Sequence, residues 1–217
     1  MSARERIIGR IRAARGKEGA PSAPVRAAVE RYLAQHPEGP RPRSDWDPLA
    51  RFRERATTLS STLDVVPALN GVPAAVAAYL SSQQLPMQAV VWRALKSLDW
   101  SGAGISVEVR QARSDDLVGV TGAFCAIAET GTLMLTSGAG TPAAVSLLPE
   151  THIAVVPVSR IVRGMEDAWA LLRAELTQLP RAVNFVSGPS RTADIEQTIN
   201  LGAHGPYRVH IILTAPE

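Results

Sequence analysis

Ile153-Ala-Val-Val-Pro-Val158 and Val209-His-Ile-Ile-Leu-Thr214 are apolar at consecutive rather than alternate positions. A strand written that way has both faces covered, as in a parallel sheet held between helical layers. Outward from these two, short apolar runs recur at Leu63–Val66, Gln88–Trp92, Ile105–Val109, Cys125–Glu129, Thr132–Thr136 and Ala182–Ser187. Helical patterns are interleaved with them near 73–81, 95, 142–148 and 166–178. This alternation predicts an α/β fold, a three-layer α/β/α domain with a mainly parallel sheet. The turn Glu129-Thr-Gly-Thr132 predicts a tight antiparallel hairpin inserted in that sheet.

The first sixty residues read differently. Ser2 and Glu5 have capping-box spacing, and Ile7, Ile8 and Ile11 follow at helical intervals, predicting a helix over about 3–15. Ser22 and Pro24 open a second helix with Val25, Ala28, Val29, Tyr32 and Leu33 on one face. A proline-rich connector over 36–48 leads to a third helix that begins at Asp47-Pro48 and runs to about residue 60. The expected division is a helical extension over 1–60 and an α/β domain over 61–217.

Composition narrows the function. Apolar residues make up 46% of the 217, enough for a core without disulfides or metal. The single cysteine, Cys125, fits a reducing cytosol and supplies one of the roughly four thiolates an iron–sulfur cluster needs. No apolar run approaches the ~20 residues of a membrane span, and the arginine-rich start lacks a signal-peptide core. A cytoplasmic protein is expected. Residues 1–55 hold 13 Lys/Arg against 7 Asp/Glu. The acids are interleaved and no aromatic platform accompanies the arginines, so a solvated helical surface is favoured over nucleic-acid binding. The four histidines and one cysteine have no metal-ligand spacing.

Four segments depart from scaffold composition: 119–122, 129–141, 187–196 and 202–206. The coarse reading places all four at strand ends, where open α/β sheets bind ligands. Glycine amides and hydroxyls suit an anion. The expected ligand-binding residues are Thr121, Gly122, Thr130, Gly131, Thr132, Ser137 and Gly138 from the first two segments. Gly188, Ser190, Arg191, Thr192, Asp194, Glu196 and Gly205 come from the last two, with Arg191 as a two-pronged cation. Glu129 and His204 are the candidate catalytic acid–base groups. Neither a Walker A loop nor a GxGxxG turn is present.

Gly119-Val-Thr-Gly, Ile127-Ala-Glu-Thr-Gly-Thr-Leu133, Leu148-Pro-Glu-Thr-His152, Ser187-Gly-Pro-Ser-Arg-Thr-Ala-Asp-Ile-Glu196 and Leu201-Gly-Ala-His-Gly-Pro206 together resemble the LUD domain, in the form that stands alone. The resemblance covers about residues 60–215. It implies a fold like the sugar-phosphate isomerase (NagB/RpiA) and CoA-transferase superfamily. It also implies a cytosolic role in lactate utilisation, the oxidation of L-lactate to pyruvate, beside iron–sulfur partner proteins, with no cofactor held by this chain alone. It supplies no catalytic residues. Two roles stay open: a non-redox subunit of a lactate-oxidising complex, and a stand-alone CoA-transferase-like or isomerase-like enzyme acting on a small anionic substrate.

Overall fold

A computed structural model describes residues 2–16, 20–192 and 200–215 of the chain. It divides into two compact units, residues 1–42 and 43–217. In the first unit, α1 (Ala3–Ala14) begins with the expected reciprocal cap. The Glu5 amide donates to Ser2 Oγ at 3.2 Å, and the Ser2 amide donates to the Glu5 carboxylate at 2.6 Å. The second helix, α2 (Ala23–Gln35), ends at His36 in the left-handed region. No residue of either helix is buried, and Ile7, Ile11, Val25, Val29, Tyr32 and Leu33 are each more than half exposed.

The second unit starts earlier than residue 61. Its first helix is α3 (Pro48–Thr58), where Asp47 Oδ1 accepts the Ala50 amide at 2.7 Å. Phe52 and Ala56 of α3 are fully buried in the main core, so this helix belongs to the body and only two helices precede it. The approach to α3 is also fixed. The Trp46 ring lies against the guanidinium groups of Arg51 and Arg163, and Arg163 also donates to the Ser44 and Trp46 carbonyls.

Along the body the chain then forms β1 (Thr62–Val66), α4 (Val72–Ser82), β2 (Gln88–Val91), β3 (Ser106–Glu108), β4 (Val118–Gly122), β5 (Cys125–Ile127) and β6 (Thr132–Thr136). After these come α5 (Ala144–Leu147), β7 (Thr151–Pro157), β8 (Ile161–Val162), α6 (Met165–Glu175), β9 (Val183–Val186), β10 (Arg191–Thr192), β11 (Asn200–Leu201) and β12 (Arg208–Thr214). Six strands pair in parallel in the order β1-β12-β7-β4-β2-β3. The two stretches that predicted the sheet, β7 and β12, are neighbours near its centre. Ile153 and Val155 face one core with Val72, Val76 and Leu80 of α4; Ala154 and Val156 face the other with Phe52 and Ala56 of α3. Helices on both faces give the α/β/α layering expected from the sequence.

Two features were not foreseen. The hairpin β5–β6 is not inserted in the parallel sheet; it builds a separate four-stranded sheet, β8-β5-β6-β9, which packs on the main core and carries α6 on its outer side. Residues 119–122, expected as a ligand loop, lie in the central strand β4. Gly119 is required there because a Cβ would meet the Val145 carbonyl oxygen of α5 at 2.0 Å.

Candidate functional site

The order of the parallel strands singles out one crevice. From β2 the chain goes outward to β3, whereas from β4 it proceeds to β7 on the other side. Adjacent strands whose onward connections diverge leave a gap beyond their carboxyl ends, and ligands of open α/β folds occupy that gap. A cavity of about 820 Å3 lies there, with Val91 at the end of β2, Val109–Gln111 beyond β3, and the 137–144 segment as the facing wall.

The wall is a tight turn. Gly138 and Thr141 exchange backbone hydrogen bonds of 3.3 and 3.2 Å, and Thr141 Oγ1 donates to the Thr136 carbonyl. Two anchors hold it over the sheet end: the Arg93 amide donates to the Gly140 carbonyl at 3.3 Å, and Trp92 Nε1 donates to the Pro142 carbonyl at 3.2 Å. On its other side, Ser137 and Ala182 bond twice, amide to carbonyl and amide to hydroxyl, tying the turn to β9.

Three arginines line the cavity, and they are not equivalent. Arg110 is engaged: it donates to both oxygens of Asp116 at 2.6 and 2.8 Å and to Glu108 at 2.7 Å. Those bonds hold the Asp116 and Glu108 carboxyls below the ordinary carboxylate range and raise the Arg110 guanidinium further. Arg93 and Arg181 form no ion pair with any described residue. A guanidinium without a carboxylate partner among the described residues, beside glycine backbone, has the chemistry to pair with a carboxylate or phosphate.

Of the residues expected to bind a ligand, Ser137 and Gly138 alone among the described ones line this crevice. Thr121 is fully buried inside β4, with Oγ1 2.7 Å from His152 Nε2; it cannot touch a ligand. Complete burial pushes the His152 imidazole down to about 4 and keeps it neutral. Gly122 closes β4 against the Trp92 ring.

The other segments meet one another elsewhere. Thr130 Oγ1 donates to Thr132 Oγ1 at 2.8 Å, and Thr132 bonds Ser187 at 2.7 Å. Gly131 and Gly188, both at positive φ, press on α3: a Cβ would lie 2.5 Å from the Ala56 nitrogen and 2.3 Å from the Leu59 oxygen. Arg191 donates to the Leu59 carbonyl and Ser60 Oγ, so it caps the end of α3 rather than waiting for an anion. The Glu129 carbonyl accepts from Arg55 Nε, and its carboxylate sits by Gly164 at the start of α6.

Ser190 bonds the turn before β12 through its amide to Pro206 and its carbonyl to Gly202, and Gly205 packs beside it. His204 lies exposed in that turn, in a pocket of about 480 Å3 with Leu147, Leu148, Glu150 and Tyr207 at the amino ends of β7 and β12. That is the end of the sheet opposite the crevice, so His204 and Ser137 do not share a site. Thr192 lies on β10, and Asp194 and Glu196 lie outside the described residues.

Arg93, Arg110 and Arg181 were missed by sequence reasoning. Arg93 and Arg110 each stand two residues past a strand of the parallel sheet, a position that the carboxyl-end rule could have flagged. Arg181 reaches the crevice only through the pairing of β9 with β6, which no local pattern announces. Among the described residues no helix is long and apolar enough to cross a membrane, and no three His, Cys, Asp or Glu side chains are grouped as metal ligands.

Residues 72–214 match the model of the LUD domain. The chain belongs to the LUD domain family. Its LUD domain contains every residue named above as lining the crevice. Lactate utilization protein C of Bacillus licheniformis is 36% identical over 121 residues, 54% of this chain and 50% of that protein. The protein of the same name from Bacillus subtilis is 36% identical over 137 residues, covering 56% and 57%. That from Halalkalibacterium halodurans is 41% identical over 108 residues, covering 48% and 46%. The chain thus matches about half the length of these curated relatives. A crystal structure of a DUF162 family protein from Deinococcus radiodurans is similar at TM-score 0.62 and 26% identity, over 80% of this chain and 99% of that one.

Proposed function

We propose that this LUD domain protein is a cytoplasmic component of L-lactate utilisation, the oxidation of L-lactate to pyruvate, and that it binds an anionic ligand in the crevice between β2 and β4. The observation that carries the binding half is the pair Arg93 and Arg181, which line one cavity at the switch point of the sheet and have no carboxylate partner among the described residues. The pathway half is supported by relatives named lactate utilization protein C. In this reading electrons pass through iron–sulfur partner proteins. Cys125, the only thiol of the chain, is buried, and desolvation pushes it up to about 11, which suits a packing role better than redox or metal chemistry.

The experiment is genetic and biochemical together. Deleting the gene should abolish growth on L-lactate, and the intact gene should restore it while an Arg93→Glu/Arg181→Glu double variant should not. Anaerobic purification of the tagged chain should bring iron–sulfur proteins with it. Undiminished growth of the deletion strain, with no such proteins recovered, would remove the pathway assignment.

A further inference from the structure

The size and charge layout of the crevice say more about its ligand. Arg93 follows β2 of the parallel sheet, and Arg181 precedes β9 of the second sheet. Each is pinned beside a different end of the 137–141 turn, Arg93 by its amide at Gly140 and Arg181 through its neighbour Ala182 at Ser137. The two arginines, without a carboxylate partner among the described residues, therefore come from different walls and flank glycine backbone. Val91, Val109, Pro142 and Ala143 give the lining an apolar part. Arg110 is held by Asp116 and Glu108 as part of the frame and adds no free charge.

A monocarboxylate with six heavy atoms fills roughly 100 Å3, about three water volumes. The cavity holds about 820 Å3, in the range of sites that enclose larger organic ligands. One carboxylate would also satisfy one guanidinium and leave the second without a counter-charge.

We propose that the crevice takes a nucleotide-sized organic polyanion, with one anionic group at Arg93, a second at Arg181 and an apolar body over Val91 and Val109, rather than L-lactate. The proposal rests on the anion-binding reading of the same crevice and narrows its ligand.

Full-length protein is titrated calorimetrically with ADP, inorganic pyrophosphate and L-lactate, beside the Arg93→Gln, Arg181→Gln and Ala139→Asp variants. Ala139 is exposed on the turn between the two cations, so a carboxylate there repels a polyanion while no bonded group is touched. ADP is expected to bind at least about tenfold more tightly than L-lactate. Each variant should weaken ADP by about tenfold or more while melting like the parent in the absence of ligand. L-lactate binding as tightly as ADP, with sensitivity to Arg93 or Arg181, overturns the polyanion and keeps the anion crevice. ADP binding that ignores all three substitutions, or no heat from any probe, overturns both. Should both glutamine variants unfold, Ala139→Asp alone decides the question by the same criterion.

Discussion

The crevice at the carboxyl ends of β2 and β4 and the turns gathered around the end of α3 are built from the same residue types. Both contain glycines, hydroxyls and an arginine. Around α3 those groups satisfy one another: Thr130 bonds Thr132, Thr132 bonds Ser187, and Arg191 closes the helix carbonyls. In the crevice a Cβ at Gly140 would meet only ordinary contact, one at Gly138 would lie 3.1 Å from the Thr141 hydroxyl of the same turn, and Arg93 and Arg181 have no carboxylate partner among the described residues. Loop composition identifies backbone that approaches something closely. Whether that something is a ligand or the protein's own helix is decided by tertiary placement.

Substitution of the two sets of glycines gives the largest contrast. Gly188→Val puts a branched side chain into the Leu59 carbonyl at a positive φ, and should cost about 4 kcal/mol of stability, read by urea denaturation. Gly140→Ala makes ordinary contact, 3.6 Å from the Arg93 Cβ, and should change stability by less than about 0.5 kcal/mol. Equal losses at the two positions would erase the distinction.

Acid comes next. His152 titrates at about 4 in the fold against about 6.5 in the unfolded chain, because burial disfavours its charged form. The unfolded chain therefore binds the proton first. Stability is whole above about pH 6.5 and falls by up to about 1.4 kcal/mol per pH unit as pH drops toward 4. His210, buried and stacked on Tyr79, is likewise pushed to about 4 by desolvation and adds to the same limb. Thermal unfolding between pH 7 and 4.5 should show it, and His152→Gln should flatten it. An unchanged slope in that variant would mean that the Thr121–His152 pair opens to solvent.

The arginines give a smaller effect of the same kind. Arg191→Ala should remove about 1 kcal/mol with the cap on α3 and leave anion binding intact. Arg181→Ala should do the reverse, changing stability by less than about 0.5 kcal/mol and weakening binding. Paired melting and titration curves on the two variants check both.

What the sequence disclosed follows from these distinctions. The strands β7 and β12 were legible because burial on both faces leaves an unbroken apolar run. The strand β4 was not, since Gly119 and Thr121 imitate a binding loop; the glycine is there for α5, and the threonine for His152. Ser137 and Gly138 lie where the strand-end reading put them, on a turn just beyond β6 that lines the crevice. Glu129 and His204 were singled out by local chemistry, but neither is among the residues that line the crevice.

The indole of Trp46, gripped by two guanidinium groups, and the Ser44 carbonyl taken by Arg163 make a clasp at the threshold of the body. Everything the clasp holds lies at or after Arg43. A shortened protein beginning at residue 43 retains it, while one beginning at residue 48 forfeits the clasp together with the Asp47 cap. The boundary for an independently folding version therefore falls five residues before the helix that a secondary-structure diagram would suggest as its start.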